Sequence, residues 1–423
     1  MFFLNGGNYN LDNANSTDAH IVIPDIMRYV LIISMIVLCG LLIRRILRLD
    51  LSLSSLLAGL LASFLIPYLE LDTGIRASNI QDLVFYVILP LLIFISAWRM
   101  NPRLFLRWFL VCFLLATVGV LMSVALTATG LYYAIAHPTG FPWIAAFLAA
   151  TMMAATDPVS VSAQLKTSKV SEELQTLFEG ESLLNDASVI ILFGLILTFA
   201  LGKQPEHNVA FSFLIVLFGG MILGAMLGLI AATVVKILHN KSATVLVIIF
   251  TAFGSFYIAE ALLHVSGIMT VMTSAVVTCI LLRKIEEKEI LSELSGAFNW
   301  LDMLLNSVIF GLLGLVVTWE MFTHQWLAII IGIVAVLVAR FASIYLLTLL
   351  LRKSPHAIPY RWALLLSWGG LKGAIAIVLA LSLPVSLDYW WTIQSMVFGV
   401  VLFSLIIQGS SFPFVLRTVL EKR

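Results

Sequence analysis

Five ionisable side chains lie deep inside long apolar runs. Asp157 stands in WIAAFLAATMMAATDPVSVSAQL beside Pro158, Glu181 and Asp186 flank Asn185 in GESLLNDASVIILF, Arg340 lies in VLVARFASIY, and Lys372 in SWGGLKGAIAI. A charge in such surroundings is either paired or kept for chemistry, because burying it alone is costly. A guanidinium stays charged and holds a carboxylate through two parallel bonds, so Arg340 suits a structural pair, with Glu181 the preferred partner. That leaves Asp157 and Asp186 for chemistry. Hard monovalent cations such as Na+ take oxygen ligands by the same logic as Ca2+ and Mg2+. The two carboxylates, the Thr156 and Ser182 hydroxyls and carbonyls freed by Pro158 could supply them. A desolvated carboxyl group holds its proton more tightly than one in water, and a bound cation stabilises its ionised form. Cation and proton then compete for one group, the logic of an exchanger. Plainer readings stay open: Asp157 as the cap of the second half of its own helix, and Asp186 as a structural partner of Lys372. Glu260 and Asp302 lie nearer helix ends, where packing or solvated roles are expected.

The elements that must position these residues follow from composition. The chain has 423 residues, 61% hydrophobic and only 11% charged, with 24 Lys+Arg against 23 Asp+Glu, and a mean hydropathy of +1.06. Soluble domains run at roughly 25% charged, so a water-soluble protein, a disordered chain and a nucleic-acid binder are all excluded. Cys39, Cys112 and Cys279 fall within apolar runs and give no disulfide framework. At about 20 apolar residues per span, the chain predicts thirteen transmembrane helices, near 26–43, 51–69, 80–97, 104–134, 143–165, 174–201, 209–237, 242–263, 268–282, 294–317, 325–351, 360–383 and 389–416. Alternate ends carry basic clusters such as Arg44, Arg45 and Arg48, or Arg99, Arg103 and Arg107, whereas the opposite ends hold only Arg28, Arg76 and Lys203. Cytoplasmic loops carry the basic excess, so the N-terminus is expected outside and the C-terminus inside. No cleavable signal peptide and no soluble regulatory domain are expected. Trp98, Trp143, Trp319, Trp390 and Trp391 are expected at the membrane interfaces.

Two spans are interrupted. Pro158 cannot donate to the carbonyl four residues back and pushes Asp157 away from helical geometry, while Gly369, Gly370 and Gly373 break span twelve and allow close backbone approach. Spans five and twelve are an odd number apart and so run in opposite directions. If spans 1–6 repeat as 8–13, the breaks occupy equivalent places in an inverted pair and cross at the midplane, the sequence pointer to a transporter's ion site.

The segments ATDPVSV at 155–161, GESLLNDASVIILF at 180–193, YIAEALLHVSGI at 257–268, FNWLDMLLNSVIFGLLG at 298–314, VARF around Arg340 and SWGGLKGAIAI at 367–377 resemble the NhaP/NHE-type sodium/proton exchangers, in family order over nearly the whole chain. The resemblance implies Asp186 as the shared ion and proton site, with Asp157, Thr156 and Ser182 as further Na+ ligands. It implies Glu181–Arg340 as a stabilising pair and Asn185 as a residue that helps fix the site. It further implies a transport unit (about 104–201 and 325–416) moving as an elevator against a dimerisation unit (about 26–97 and 209–317), in a homodimer. Leu91 and Ile95 replace the family's usual span-three pattern, so no site is assigned there, and Lys372 stands where relatives often carry Arg, which leaves its partner open. Asn185 in place of a second carboxylate predicts one cation per proton and hence electroneutral exchange. The expectation is a Na+/H+ antiporter of a bacterial-type inner membrane, not an enzyme, without cofactor or nucleic-acid partner. Li+ or K+ are alternative cargoes. An intramembrane aspartyl hydrolase built on Asp157 and Asp186 is the remote alternative, disfavoured because GxGD, HExxH and GxSxG motifs are all missing.

Overall fold

The computed structural model describes residues 19–68, 84–135, 140–157, 161, 164, 165, 168, 170–202, 209–238, 240–285 and 288–421. Among the described residues every regular element is a helix, the outcome required where no water can satisfy backbone groups. In chain order these are α1 (Ala19–Leu47), α2 (Leu51–Tyr68), α3 (Leu89–Arg99, entered through a π-helical turn Val84–Ile88), α4 (Pro102–Ala134, with a π-helical turn at Leu115–Gly119), α5 (Trp143–Ala154) and α6 (Glu172–Ala200). Then come α7 (Val209–Leu238), α8 (Lys241–Tyr257, continuing as a π-helical turn Ile258–Leu263), α9 (Gly267–Ile285), α10 (Lys288–Val316), α11 (Trp319–Leu350), α12 (Tyr360–Trp368), α13 (Ala374–Leu381), α14 (Trp390–Phe403) and α15 (Gly409–Glu421). Among the described residues, eight helical stretches are long and apolar enough to cross a membrane.

Local sequence marks the helix starts. Asn101 precedes Pro102 and accepts from the Arg103 N–H, Ser171 accepts from the Leu174 N–H ahead of Glu172 and Glu173, and Asn240 accepts from the Ala243 N–H. Each oxygen satisfies one of the donors a helix start leaves orphaned. Glu260 lies within the π-helical turn after α8 and accepts from the Gly267 N–H at 2.9 Å.

Packing divides the helices into two groups. One comprises α1, α2, α3, α7, α8, α9 and α10; the other comprises α4, α5, α6 and α11 to α15. The first is held by small-residue seams. Gly220, Gly224 and Gly228 of α7 lie directly against Ser266, Thr270 and Ser274 at the start of and along α9, and the Thr270 and Thr278 hydroxyls donate to the carbonyls of Gly220 (3.1 Å) and Gly228 (3.2 Å). Such close backbone approach is how helices associate where the hydrophobic effect is silent. The groups meet chiefly through α6, which touches α3, α7 and α9, and through α13 against α10.

Trp98 packs inward between helices. It is 4% exposed, stacked on Phe94 and edge-on to Phe298, so its indole serves the core between α3 and α10. Trp143 and Trp319 are exposed.

Candidate functional site

Both interrupted helices stop at the same place. α5 ends at Ala154 and the chain turns extended at Ala155 (φ −56°, ψ 141°). Ala154 is the residue whose carbonyl a proline at 158 cannot serve, so the helix ends where that donor would be missed; Pro158 itself lies outside the described residues. α12 ends at Trp368, and Gly373 is extended (φ −137°, ψ −146°) before α13 begins. The two extended segments touch: the Asp157 N–H donates to the Leu371 carbonyl at 2.7 Å. The glycines make this approach possible. A methyl group at Gly373 would overlap the Asp157 side chain, and one at Gly370 would overlap the Arg340 guanidinium.

Broken helices leave unsatisfied carbonyls and a partial negative charge at each C-terminal end. The two buried cations answer them. Arg340 donates to both carboxylate oxygens of Glu181, at 3.1 Å each, and also to the Leu366 carbonyl in the last turn of α12 at 3.1 Å. Lys372 places Nζ 3.5 Å from the Ala154 carbonyl at the end of α5, while its backbone N–H donates to Ser404 Oγ at 2.8 Å. Among the described residues no carboxylate stands within 4.0 Å of the Lys372 ammonium. The alternative of a Lys372–Asp186 pair is therefore not the arrangement seen: the ammonium serves a helix end. Carbonyls freed near Pro158 were expected as ion ligands, but that of Ala154 is engaged by Lys372 and by Asn185, whose Nδ2 donates to it at 3.1 Å and to Thr156 Oγ1 at 2.9 Å. The Thr156 hydroxyl in turn donates to Ser182 Oγ at 3.1 Å.

A cavity of about 50 Å³ opens beside this crossing. It is lined by Thr156, Asp157 and Asp186, by Gly373 and Ala374 at the entry to α13, by α3 between Leu89 and Ser96, and by Asn306 of α10. A water needs about 10–15 Å³ of such space, so the cavity has room for an ion together with a few waters. Asp186 is 8% exposed, and its Oδ1 is buried with no hydrogen-bond partner among the described residues. An orphaned carboxylate oxygen beside a small polar cavity is what a bound cation or a proton would satisfy. Ser182 and Asn185 stand behind Thr156 and do not line the cavity, and the Glu181–Arg340 pair lies apart from it.

The sequence reading missed Asn306, and gave its partner Asp302 only a packing or solvated role. Their signal was present: two polar residues spaced i,i+4 inside the apolar run LDMLLNSVIF, the same spacing that drew attention to Glu181 and Asn185.

Residues 32–418 match the sequence profile of the transmembrane sodium/hydrogen exchangers. The chain belongs to the sodium/hydrogen exchanger family. Relatives within that family include the low-affinity Na+/H+ antiporter NhaS1 of Synechocystis, 32% identical over 79% of this chain and 64% of that protein. The Na+/H+ antiporter ApNhaP of Aphanothece halophytica is 31% identical over 82% of this chain and 66% of its own length. NhaH of Halobacillus dabanensis is 32% identical over 70% of this chain and 72% of its own. The chain thus spans just under two thirds of the length of NhaS1 and ApNhaP. Among solved structures of exchangers, the sodium proton antiporter MjNhaP1 of Methanocaldococcus jannaschii superposes with a TM-score of 0.77 over 94% of this chain and 100% of that one, at 19% identity. The exchanger fold is therefore shared well beyond sequence similarity.

Proposed function

We propose that this exchanger-family chain is a secondary-active Na+/H+ antiporter in which one Na+ and one proton compete for Asp186. The observation that carries the reading is the buried Asp186 Oδ1, without a hydrogen-bond partner among the described residues, beside a cavity that Asp186 and Asp157 both line. Na+ enters as substrate, held by Asp186, Asp157 and the Thr156 oxygen. Ser182 takes the Thr156 proton in a hydrogen bond and so turns a Thr156 lone pair toward the ion. Asn185 ties α6 to the break in α5, and Glu181–Arg340 neutralises itself as a structural pair beside α12. When the cation leaves, a proton takes its place on Asp186, and the empty charged site is the form that crosses poorly.

Exchange is electroneutral in this scheme, because Asn185 leaves one carboxylate fewer beside Asp186 and each cycle trades one positive charge for another. The two packing groups of helices support an elevator: α4 to α6 with α11 to α15 as the moving unit, the remainder as a fixed unit in a homodimer. Thirteen spans in an inverted repeat, with an outside N-terminus and a cytoplasmic C-terminus in a bacterial-type inner membrane, complete the proposal, supported by the alternation of basic clusters along the chain.

Purified protein in liposomes, driven by a proton gradient, tests the reading across a pH series with Na+, Li+ and K+ in parallel. Saturable Na+-dependent proton movement is expected. Exchange with K+ alone would transfer the mechanism to another cation, and flux uncoupled from protons would remove it.

A further inference from the structure

Beyond Thr156, Asp157 and Asp186, the polar side chains lining the cavity are Ser96 and Asn306. Asn306 is 3% exposed, and its side-chain nitrogen is fully committed. It donates to the Asp302 backbone carbonyl at 3.0 Å and to Asp302 Oδ1 at 2.9 Å. Both partners are pure acceptors, so the nitrogen cannot exchange places with the oxygen, and the carboxamide is fixed with its oxygen turned away from Asp302. Asp302 is itself held: its Oδ2 accepts from Arg99 Nη1 at 2.7 Å, and Arg99 Nη2 donates to the Phe298 carbonyl and to Asn299 Oδ1. No donor among the described residues reaches the Asn306 oxygen. A group that can only accept is thus locked on a cavity whose other polar lining includes two carboxylates. Acceptors facing acceptors gain nothing from one another, whereas a cation between them satisfies all of them.

We infer that Asn306 is an ion-contacting residue whose carboxamide oxygen helps coordinate the dehydrated cation, with Asp302 and Arg99 as the residues that position it. This rests on the reading of the cavity as the transport site and extends it. A neutral oxygen ligand strengthens cation binding yet offers no competing site for the proton, since an amide oxygen is not protonated at physiological pH. Asn306 therefore sets how strongly, and which, alkali cation is held, while Asp186 sets the coupling to protons.

The test compares Asn306→Leu, which keeps the branched shape and removes the oxygen, with the native protein and with Asp186→Asn in liposomes. Half-saturating Na+, the maximal rate and the Na+/Li+/K+ rate ratios are read at two pH values. Asn306→Leu is expected to raise half-saturating Na+ by about fivefold or more, to change the cation ratios and to keep the maximal rate within about twofold. Asp302→Ala, which frees the carboxamide to rotate, should move half-saturation in the same direction by a smaller factor. If half-saturation and ion ratios stay native, or only the maximal rate falls, Asn306 is a packing residue and the inference is overturned. Should Asn306→Leu fail to fold, Asn306→Ser is read by the same criteria. Exchange surviving in Asp186→Asn would instead remove the transport-site reading itself.

Discussion

Asp157 and Leu371 join the two broken helices through a backbone hydrogen bond of 2.7 Å. Around that contact the ends of α5 and α12 are each neutralised by one buried cation, Lys372 and Arg340. Glu181 pairs with Arg340, and Asp186 stays on the cavity wall.

Asp186→Asn removes the only protonatable group at that position while preserving its size. Exchange in liposomes should fall to the protein-free background, with the thermal unfolding temperature in detergent close to native. Exchange at native rates would contradict the assignment.

Arg340→Ala strands a buried Glu181 and leaves the Leu366 carbonyl without its donor. A loss of about 3–5 kcal/mol is expected for breaking such a pair from one side, seen as a marked drop in unfolding temperature. Arg340→Lys keeps the charge but not the forked geometry and should lose less. An unchanged unfolding temperature in the alanine variant would mean the pair contributes nothing.

Gly373→Ala places a methyl group where the Asp157 side chain lies. Forcing the two segments apart should cost about 1–3 kcal/mol and reduce the exchange rate at least about tenfold, as expected when a ligand-bearing segment is misplaced. Gly224→Leu, on the α7–α9 seam away from the site, should destabilise by a similar amount but leave half-saturating Na+ native in the folded fraction.

The charges that matter could be read from the chain because an ionisable side chain inside an apolar run is conspicuous, and Pro158 announced a break. The Glu181–Arg340 pairing followed from the chemistry of guanidinium. Lys372 was harder to place, since its partner is a backbone carbonyl created by the break in another helix, and matching side-chain charges alone cannot reveal a helix end. Asn306 escaped notice because a neutral amide in a membrane helix carries little signal until the fold shows which cavity it borders.

Electroneutrality has its own test. The membrane potential acts on net charge moved, at ~2.3 kcal/mol per charge per 100 mV. With one cation exchanged for one proton, clamping the liposome potential with K+ and valinomycin should leave the rate of Na+/H+ exchange unchanged. A rate that follows the imposed voltage would show unequal stoichiometry.

Direct measurement of Na+ binding to the purified protein, with simultaneous detection of released protons in weakly buffered solution, bears most closely on the competition at Asp186. In the acidic range the apparent dissociation constant should rise about tenfold for each unit of falling pH, with close to one proton released per Na+ bound, and both effects should vanish in Asp186→Asn. Sodium binding of constant strength across the pH range, with no protons released, would contradict the account.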